Sequence, residues 1–525
     1  MATSNSLGSR RNAAQLHALA GVEREVRASD HSGRRKYLRD FSQAFRSYDS
    51  IINPQQLADT VGAADVILVG DYHALPAAQR YAASLLELRA QPGDRPVVLG
   101  VETIFARHQH VLEEWWRREI DEGEFRERIR FDADWGYDWA PFYELLVTAR
   151  QHTEGIYGLD CMPREDLRKI GTRDRHAVDK IAEIRGRHPR AVIFVLFGES
   201  HLAPEHLPRS LHERLPGERV LTVLQNVDAL YWCATSERQE RVEAVRVRHD
   251  VVCVFNSTPL EKYENYRLYL SRCQGEAGQP DLVPTIYNLI DSLLSFLDIN
   301  RYSSHNTTQP KFLVDMLPEV YGGSSDARLR QLLLRAEYEP KRIENMLQRV
   351  EECGSVYLPA INAFYVREFQ MMYAAEEAAR FLHHACRGLP LRRDRHPAPS
   401  ELADRFYART VEHALAYFGS RVLYPARPAV RSEDGCHFSD KLCQKIMQAA
   451  VRGVRGDFNT LALKLGYALG SEIYEAYLRG SVSRAILRHL FLTHIDEPGE
   501  AWQACQEIVS RIHSTRKKPC GSVRR

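Results

Sequence analysis

Apolar and polar residues alternate in two different ways along the chain. From Pro54 to Phe255, short apolar runs alternate with segments in which apolar residues recur at helical spacing. This alternation predicts an α/β domain with a parallel sheet and crossover helices. The predicted strands cover residues 66–69, 97–101, 155–159, 191–197, 219–224 and 251–255, and the predicted helices include 77–90, 106–116, 141–152 and 164–187.

After Asn256 the pattern becomes helical. Strand-like runs stop, and long helical periods cover residues 282–297, 326–352 and 360–387. We therefore predict an all-α C-terminal domain with essentially no sheet. One of its helices carries four charged or titratable side chains without the Glu-x-x-His spacing of a metal site, and we expect them to face solvent. They are Glu376, Glu377, His383 and His384.

These textures divide the chain into four regions. Residues 1–49 are predicted to form a polar, disordered arm followed by a basic helix at 34–48, and residues 50–275 form the α/β domain. Residues 280–513 form the helical domain, in which loops rich in Gly, Pro and Arg lie at 388–399 and 424–435. The basic tail, 514–525, is expected to be unfolded.

Composition restricts the class of partner and the compartment. The 525 residues include 71 Lys and Arg against 69 Asp and Glu, so no global field favours nucleic acid or an anionic membrane. No segment has the length and apolar character of a signal peptide or a membrane span. The first cysteine is Cys161, and the ten cysteines form no C-x-x-C pair. We expect a cytoplasmic protein with reduced thiols and no lipid anchor.

Two strong strands end in nearly the same sequence. The first is followed by Gly70-Asp71-Tyr72-His73 and the second by Gly198-Glu199-Ser200-His201. Each copy has a glycine that permits a sharp exit, an acid, a histidine three residues after the glycine, and a proline that can open the next helix. This repeated G-x-x-H turn predicts a site at the carboxyl edge of the sheet, where open α/β folds bind ligands.

Other strands also end in polar groups. Glu102 and Asp160 follow two of them, and Gln225 and Asn226 follow a third. Two imidazoles and several carboxylates at one edge can hold a metal through His73, Glu102 and His201. They can instead place a histidine as general base with a carboxylate such as Glu199 to orient it. Both interpretations stay open at this point.

Further side chains are candidates for ligand contact. Tyr72, beside His73, can line an aromatic pocket or serve as a haem ligand, with Asp71 and Asp160 nearby. Arg164 can hold a carboxylate or phosphate. A serine nucleophile is discounted, because Leu202 stands where G-x-S-x-G requires its second glycine. No H-E-x-x-H, Walker A or G-x-G-x-x-G sequence occurs.

At these residues the sequence resembles the ChaN-like haem-binding uptake family, part of a superfamily with Tiki, TraB and the erythromycin esterases. Gly70 to His73, Glu102, and Gly198 to His201 match its two G-x-x-H turns and intervening Glu in order. The stretches 138–144 and 158–164 resemble the family's middle section. The resemblance covers about residues 50–275 and does not reach the helical domain.

The resemblance implies a protein that binds haem, iron or another divalent metal, with His73, Glu102 and His201 as central groups. The superfamily also includes hydrolases, so a metal- or His-dependent hydrolase of an ester or amide is the second hypothesis. A third makes the protein an interaction module that binds a protein partner through the helical domain. The absence of a signal and of a lipidated cysteine departs from the uptake lipoproteins of the family.

Overall fold

The structure, a computed structural model, describes most of the chain and divides it into two compact units. The described residues are 2–30, 36–91, 95–161, 170–237, 241–274, 280–300, 317–323, 325–386, 399–430, 455–493, 495 and 499–514. One unit comprises Glu23–Cys273, and the other comprises Met1–Val22 with Gln274–Arg525.

The unit of Glu23–Cys273 is built on one eight-stranded sheet. Its order is β1-β7-β8-β6-β2-β5-β3-β4, and the six strands from β8 to β4 run parallel to their neighbours. The strands are β1 (Ser50–Ile52), β2 (Val66–Asp71), β3 (Val97–Phe105), β4 (Ile156–Asp160), β5 (Val192–Gly198), β6 (Val220–Gln225), β7 (Ala244–Arg248) and β8 (Val251–Val254). All six predicted strands are present, and the α/β class predicted from their apolar runs is confirmed.

Two short strands escaped the sequence analysis. β1 and β7 pair antiparallel at one edge of the sheet. β1 has only three residues, and the burial along β7 includes the exposed Arg248. Neither has the continuous apolar run that marks a strand buried on both faces.

Helices cover both faces of this sheet. Apolar side chains of alternate strand residues form two separate cores, with Ile67 and Val69 in one and Val66 and Leu68 in the other. The helices are α2 (Lys36–Ala44), α3 (Pro54–Ala63), α4 (Pro76–Arg89), α5 (Gln109–Trp116), α6 (Glu122–Arg128), α7 (Phe131–Asp134), α8 (Trp139–His152), α9 (Ile170–Arg187), α10 (Leu207–Arg214), α11 (Asp228–Glu237) and α12 (Pro259–Gln274). This two-layered cover fixes the strand ends that carry the polar turns.

The prediction of a disordered N-terminal arm was wrong. Residues Ala2–Ser29 form helix α1, and the division between the two units falls within it, after Val22. Ala14, Ala18, Leu19 and Val22 are buried. They recur at helical spacing, but two of them are alanines, so the stripe is too weakly apolar to stand out among the polar residues around it.

The second unit is mainly helical. Its further helices are α13 (Val283–Leu297), α14 (Asp326–Arg335), α15 (Pro340–Cys353), α16 (Met371–Ala385), α17 (Pro399–Leu423), α18 (Arg455–Leu478), α19 (Arg484–Leu492) and α20 (Glu500–Ser514). The predicted loop at 388–399 lies almost wholly, and the tail from 515 wholly, outside the described residues. The first part of the other predicted loop, 424–430, is described and contains neither helix nor strand.

The expectation of a helical domain without sheet needs a correction. β9 (Glu319–Gly322), β10 (Ser355–Leu358) and β11 (Ala363–Val366) form a three-stranded sheet in the order β10-β11-β9. Each strand has four residues, and one of them, β11, falls within a segment where helical periodicity was predicted. Strands this short give too few alternating positions to compete with the helical pattern around them.

The charged residues of α16 are buried, contrary to the prediction that they face solvent. Glu376 lies 3.0 Å from Nη2 of Arg380, 2.8 Å from Nη2 of Arg427 and 3.3 Å from Nη2 of Arg349. Burial would raise the pKa of Glu376, but these arginines lower it to about 2. Glu377 pairs with Arg380 at 3.1 Å. Charges on a helix are usually solvated. Here Arg380 of the same helix, together with Arg349 and Arg427 from distant parts of the sequence, pairs with them in the interior.

Candidate functional site at the carboxyl edge of the sheet

The first turn places His73 with one ring nitrogen already bonded. β2 ends at Asp71, whose Oδ2 lies 2.6 Å from Nδ1 of His73. Gln79 of α4 donates to the other oxygen of Asp71. Since an ionised carboxylate only accepts hydrogen bonds, a neutral His73 carries its proton on Nδ1, and Nε2 is then the nitrogen left for a ligand or a second proton.

The second turn holds His201 in the same way, but with a different carboxylate. Oδ1 of Asp174, on α9, lies 2.5 Å from Nδ1 of His201. The imidazole is 4% exposed, whereas that of His73 is 14% exposed. His201 is therefore nearly inaccessible to solvent, whereas His73 is partly exposed.

Glu102 lies between the two histidines. Its Oε2 is 3.6 Å from Nε2 of His73, and its Oε1 is 3.8 Å from Nε2 of His201. The backbone N–H of Gly198 donates to Oε2 at 2.5 Å. The structure thus brings His73, Glu102 and His201 together, and the Nε2 atoms of both imidazoles face the carboxylate of Glu102.

A buried arginine keeps that carboxylate ionised. Nη2 of Arg173 lies 2.5 Å from Oε1 of Glu102 and 2.6 Å from Oδ2 of Asp160. Burial would raise the pKa of Glu102, but Arg173, then His201 and His73, lower it to about 2. Asp160, at the end of β4, is therefore tied to Arg173, and it contacts Glu102 only through that guanidinium.

Glu199 departs from the rest of the predicted set. Its Oε1 accepts a hydrogen bond from Nζ of Lys262 at 2.9 Å. The same ammonium lies 4.5 Å from the ring centroid of Tyr72. Burial would lower the pKa of Lys262, but Glu199 and Asp228 raise it. Glu199 and Tyr72 therefore belong to a second cluster around Lys262, beside the turn that carries His73.

Aromatic rings surround both imidazoles. His73 lies 5.3 Å from the ring of Trp135, 5.2 Å from Tyr137 and 6.3 Å from Phe142, between centroids. His201 lies 4.9 Å from the ring of Phe197. Such walls exclude water and strengthen the polar contacts within them.

Gly198 sits at the centre of the cluster. A Cβ added there would lie 3.0 Å from Oε2 of Glu102, 3.4 Å from Nε2 of His73 and 3.5 Å from Cδ2 of His201. A side chain at this position would fill the space between the three groups, so the glycine of the second turn keeps that space open.

Four buried partners were missed by the sequence analysis. They are Gln79, Arg173, Asp174 and Lys262, which are all buried. Each lies on a helix, where a polar residue is usually solvent-facing, and nothing local distinguishes Asp174 from the exposed Asp179 on the same helix. Arg164, predicted to bind a ligand, lies outside the described residues.

The predicted metal set is not arranged as a metal centre. Among the described residues, no group of three or more His, Cys, Asp or Glu side chains is placed to hold a metal ion. Next to Glu102 and Asp160, Arg173 supplies the positive charge that a metal cation would otherwise bring.

A cavity of about 690 Å³ lies elsewhere, beside the residues that begin β6 and β8. His73, Glu102 and His201 do not line it.

A parallel sheet covered by helices, with imidazoles and carboxylates at its carboxyl edge, defines an open α/β domain, a class of fold that binds ligands at this edge. Within that class, residues 57–201 match the family described as "Haem-binding uptake, Tiki superfamily, ChaN". The match contains both turns and Glu102 and ends at His201, which confirms the resemblance. It was expected over about residues 50–275 and is found over the narrower range.

Two other comparisons add little. No curated protein matches the chain. The solved structure "Cofacial heme binding to ChaN of Campylobacter jejuni" is 14% identical to this chain, with a TM-score of 0.26, over 33% of this chain and 86% of that one. The α/β fold class is established by the order and direction of the strands in the eight-stranded sheet.

No described helix combines the length and apolar composition that crossing a membrane requires.

Proposed function

We propose that the α/β unit binds haem at the carboxyl edge of its sheet, with His73 as the ligand of the iron. One observation carries this proposal: Nδ1 of His73 is bonded to Asp71, which leaves Nε2 as the coordinating nitrogen, on an imidazole that is 14% exposed and faces aromatic rings. Histidine is a common haem ligand, and a carboxylate on its other nitrogen makes it a stronger donor.

The residues around His73 fit such a ligand unequally. Trp135 and Tyr137 are buried, so they support the His73 ring from within the fold and offer little open surface to a porphyrin. Burial raises the pKa of Tyr72 well above its usual value, which disfavours the phenolate that would bind iron. Glu102, whose Oε2 lies 3.6 Å from Nε2 of His73, is proposed to lie beside the iron. The nearly inaccessible His201 is proposed to hold Glu102 in place and not to touch the porphyrin. When bound, haem would supply an iron centre for redox or oxygen chemistry.

The family match supports the proposal from an independent direction. Residues 57–201 match a family described as haem-binding, and that segment includes His73, Glu102 and His201. The ligand assignment goes further than the match, because the family's description names a cofactor and no residue.

Haem titration of the purified full chain tests the proposal. Addition of haem should give a Soret band shifted from that of free haem, and His73→Ala should abolish the shift. His110→Ala, an exposed histidine on α5, is the matched control and should titrate like the parent. Elemental analysis of protein purified without added cofactor separates haem iron from another divalent metal. A His73→Ala protein with an unchanged Soret band would falsify the assignment of His73.

One observation favours a second candidate, hydrolysis of an ester or amide. Both imidazoles have the arrangement of an oriented general base, with Nδ1 on a carboxylate and Nε2 free. In this hypothesis Nε2 of one histidine accepts a proton from water as the water oxygen attacks the carbonyl carbon, and the carbonyl π electrons move onto its oxygen. When that intermediate collapses, the bond to the alcohol or amine breaks, and the leaving group takes the proton back from Nε2. Turnover of a model ester that is lost in His73→Ala, without any haem-induced spectrum in the parent, would select this function over the first.

A further inference from the structure

A helix beyond the family-matched segment lies against the first turn. α12 begins at Pro259, well after residue 201. Lys262 and Tyr266, four residues apart on this helix, both contact Tyr72, the ammonium at 4.5 Å and the phenol ring at 5.9 Å between centroids. One face of α12 therefore covers the turn that carries His73.

The aromatic rings next to His73 continue onto this helix. Tyr137, 5.2 Å from His73, stacks on Tyr269 with centroids 4.3 Å apart and ring planes 27° apart. Tyr269 in turn lies 5.9 Å from Tyr266, again with ring planes 27° apart. Each ring plane is thus tilted by 27° from the next, and Tyr266 and Tyr269 are only partly buried.

Hydrogen bonding fixes part of this wall. The hydroxyl of Tyr266 donates to Oδ2 of Asp30 at 2.6 Å, so its ring cannot rotate away without losing a charge-assisted bond. Ring orientation matters because aromatic systems associate best when offset-stacked or edge-to-face. The bond to Asp30 holds the ring of Tyr266 at a fixed angle, and this ring is therefore preorganised for a flat ligand.

We infer that Tyr266 and Tyr269 form the wall of the ligand site, hereafter the tyrosine wall, on which a planar aromatic macrocycle packs beside His73. This inference rests on the proposed function for the identity of the macrocycle. It adds that recognition has two separable parts: iron coordination by His73, and ring packing against a helix that the family match does not include.

Metal-free protoporphyrin separates the two parts, because it offers the ring without the iron. Titrations of haem and of protoporphyrin, followed by quenching of tryptophan fluorescence, are compared for the parent, His73→Ala and Tyr269→Leu. Tyr269→Leu should weaken both ligands by about fivefold, the worth of one aromatic pair. His73→Ala should weaken haem strongly and protoporphyrin little.

Two control variants keep the test specific. Tyr269→Phe retains the ring and should bind both ligands as the parent does. Tyr143→Leu removes another partly buried tyrosine, which stacks on Trp139 at 5.4 Å and 26°, and should leave both affinities unchanged. A fold defect in Tyr269→Leu would show as a lowered melting temperature, and Tyr266→Phe, which keeps the ring and removes only its hydroxyl, then supplies the test through a smaller loss for both ligands.

The outcomes distinguish this inference from the proposed function. If Tyr269→Leu binds protoporphyrin as tightly as the parent, the tyrosine wall is wrong even where haem still depends on His73. If both ligands depend on Tyr269 and neither depends on His73, the wall stands and the iron ligand is wrong. A parent that binds neither ligand overturns both.

Discussion

Oδ1 of Asp174 lies 2.5 Å from Nδ1 of His201. Asp174 is on α9, 27 residues before His201 in the chain. His73 receives the equivalent bond from Asp71, only two residues away and within its own turn. Each imidazole is therefore held by a bond from Nδ1 to a carboxylate. For His73 the carboxylate belongs to the same turn, and for His201 it belongs to a separate helix. This difference affects how each histidine responds to substitution.

His201→Ala should cost more stability than His73→Ala. His201 is 4% exposed, and its removal leaves the buried carboxylate of Asp174 without its imidazole partner, a loss of about 1–3 kcal/mol. His73 is partly open, and its buried partner Asp71 keeps a hydrogen bond from Gln79, so its removal should lower the free energy of unfolding by less. Urea unfolding of both variants checks this, and equal losses would contradict the difference in burial.

Gly198→Ala should block the site without unfolding the chain. The added methyl would lie 3.0 Å from Oε2 of Glu102 and 3.4 Å from Nε2 of His73, so these groups would have to move apart by a few tenths of an ångström. Haem affinity should fall at least tenfold, because partners that orient a ligating group are worth about that much. Gly171→Ala, with nothing within 4 Å of the added atom, is the control. A variant that binds like the parent would show that the space at Gly198 is not used.

Arg173→Met should be among the most destabilising substitutions in the α/β unit. It leaves Glu102 and Asp160 as buried carboxylates without their shared cation, and breaking a buried pair from one side costs about 3–5 kcal/mol. Arg175→Met, an exposed arginine two residues along α9, should change stability by less than about 0.5 kcal/mol. The comparison is made by thermal and urea unfolding, and similar losses in the two variants would refute a structural role for the Arg173 guanidinium.

His413 should make the helical unit sensitive to mild acid. Its burial, with Arg380 3.3 Å away, lowers its pKa to about 3, against 6.5 for an ordinary histidine. Between those values the unfolded chain binds a proton that the folded chain does not. Stability should therefore fall as pH drops below 6.5, by about 1.4 kcal/mol per pH unit, and level off near pH 3.

Comparison of variants isolates that contribution. Urea unfolding at pH 7 and pH 5 should differ less in His413→Asn than in the parent, because the titrating imidazole is gone. His489→Asn, which removes an exposed histidine of the same unit, should keep the parent's pH dependence. If both variants keep it, the acid sensitivity has another source, such as the carboxylates around Arg380.

The sequence predicted the elements that depend only on residues close together in the chain. The six central strands were found because each is a continuous apolar run, and the G-x-x-H turns because they follow two of those runs directly. Arg173 and Asp174 could not be found, since their function depends on the packing of α9 against two strand ends far away in sequence. The partner of Glu199 could not be found for the same reason: the acid is visible in the sequence, but Lys262 is 63 residues away.

The pairing of β2 with β5 sets Asp71 beside Gly198, not beside Glu199. The two copies of the turn are therefore offset by one residue across the sheet, although their sequences match letter for letter in Gly and His. The acid of one copy lies next to its own histidine, and the acid of the other points to Lys262. A repeat in the sequence is therefore not a repeat in the chemistry, because the two turns surround their histidines with different charges.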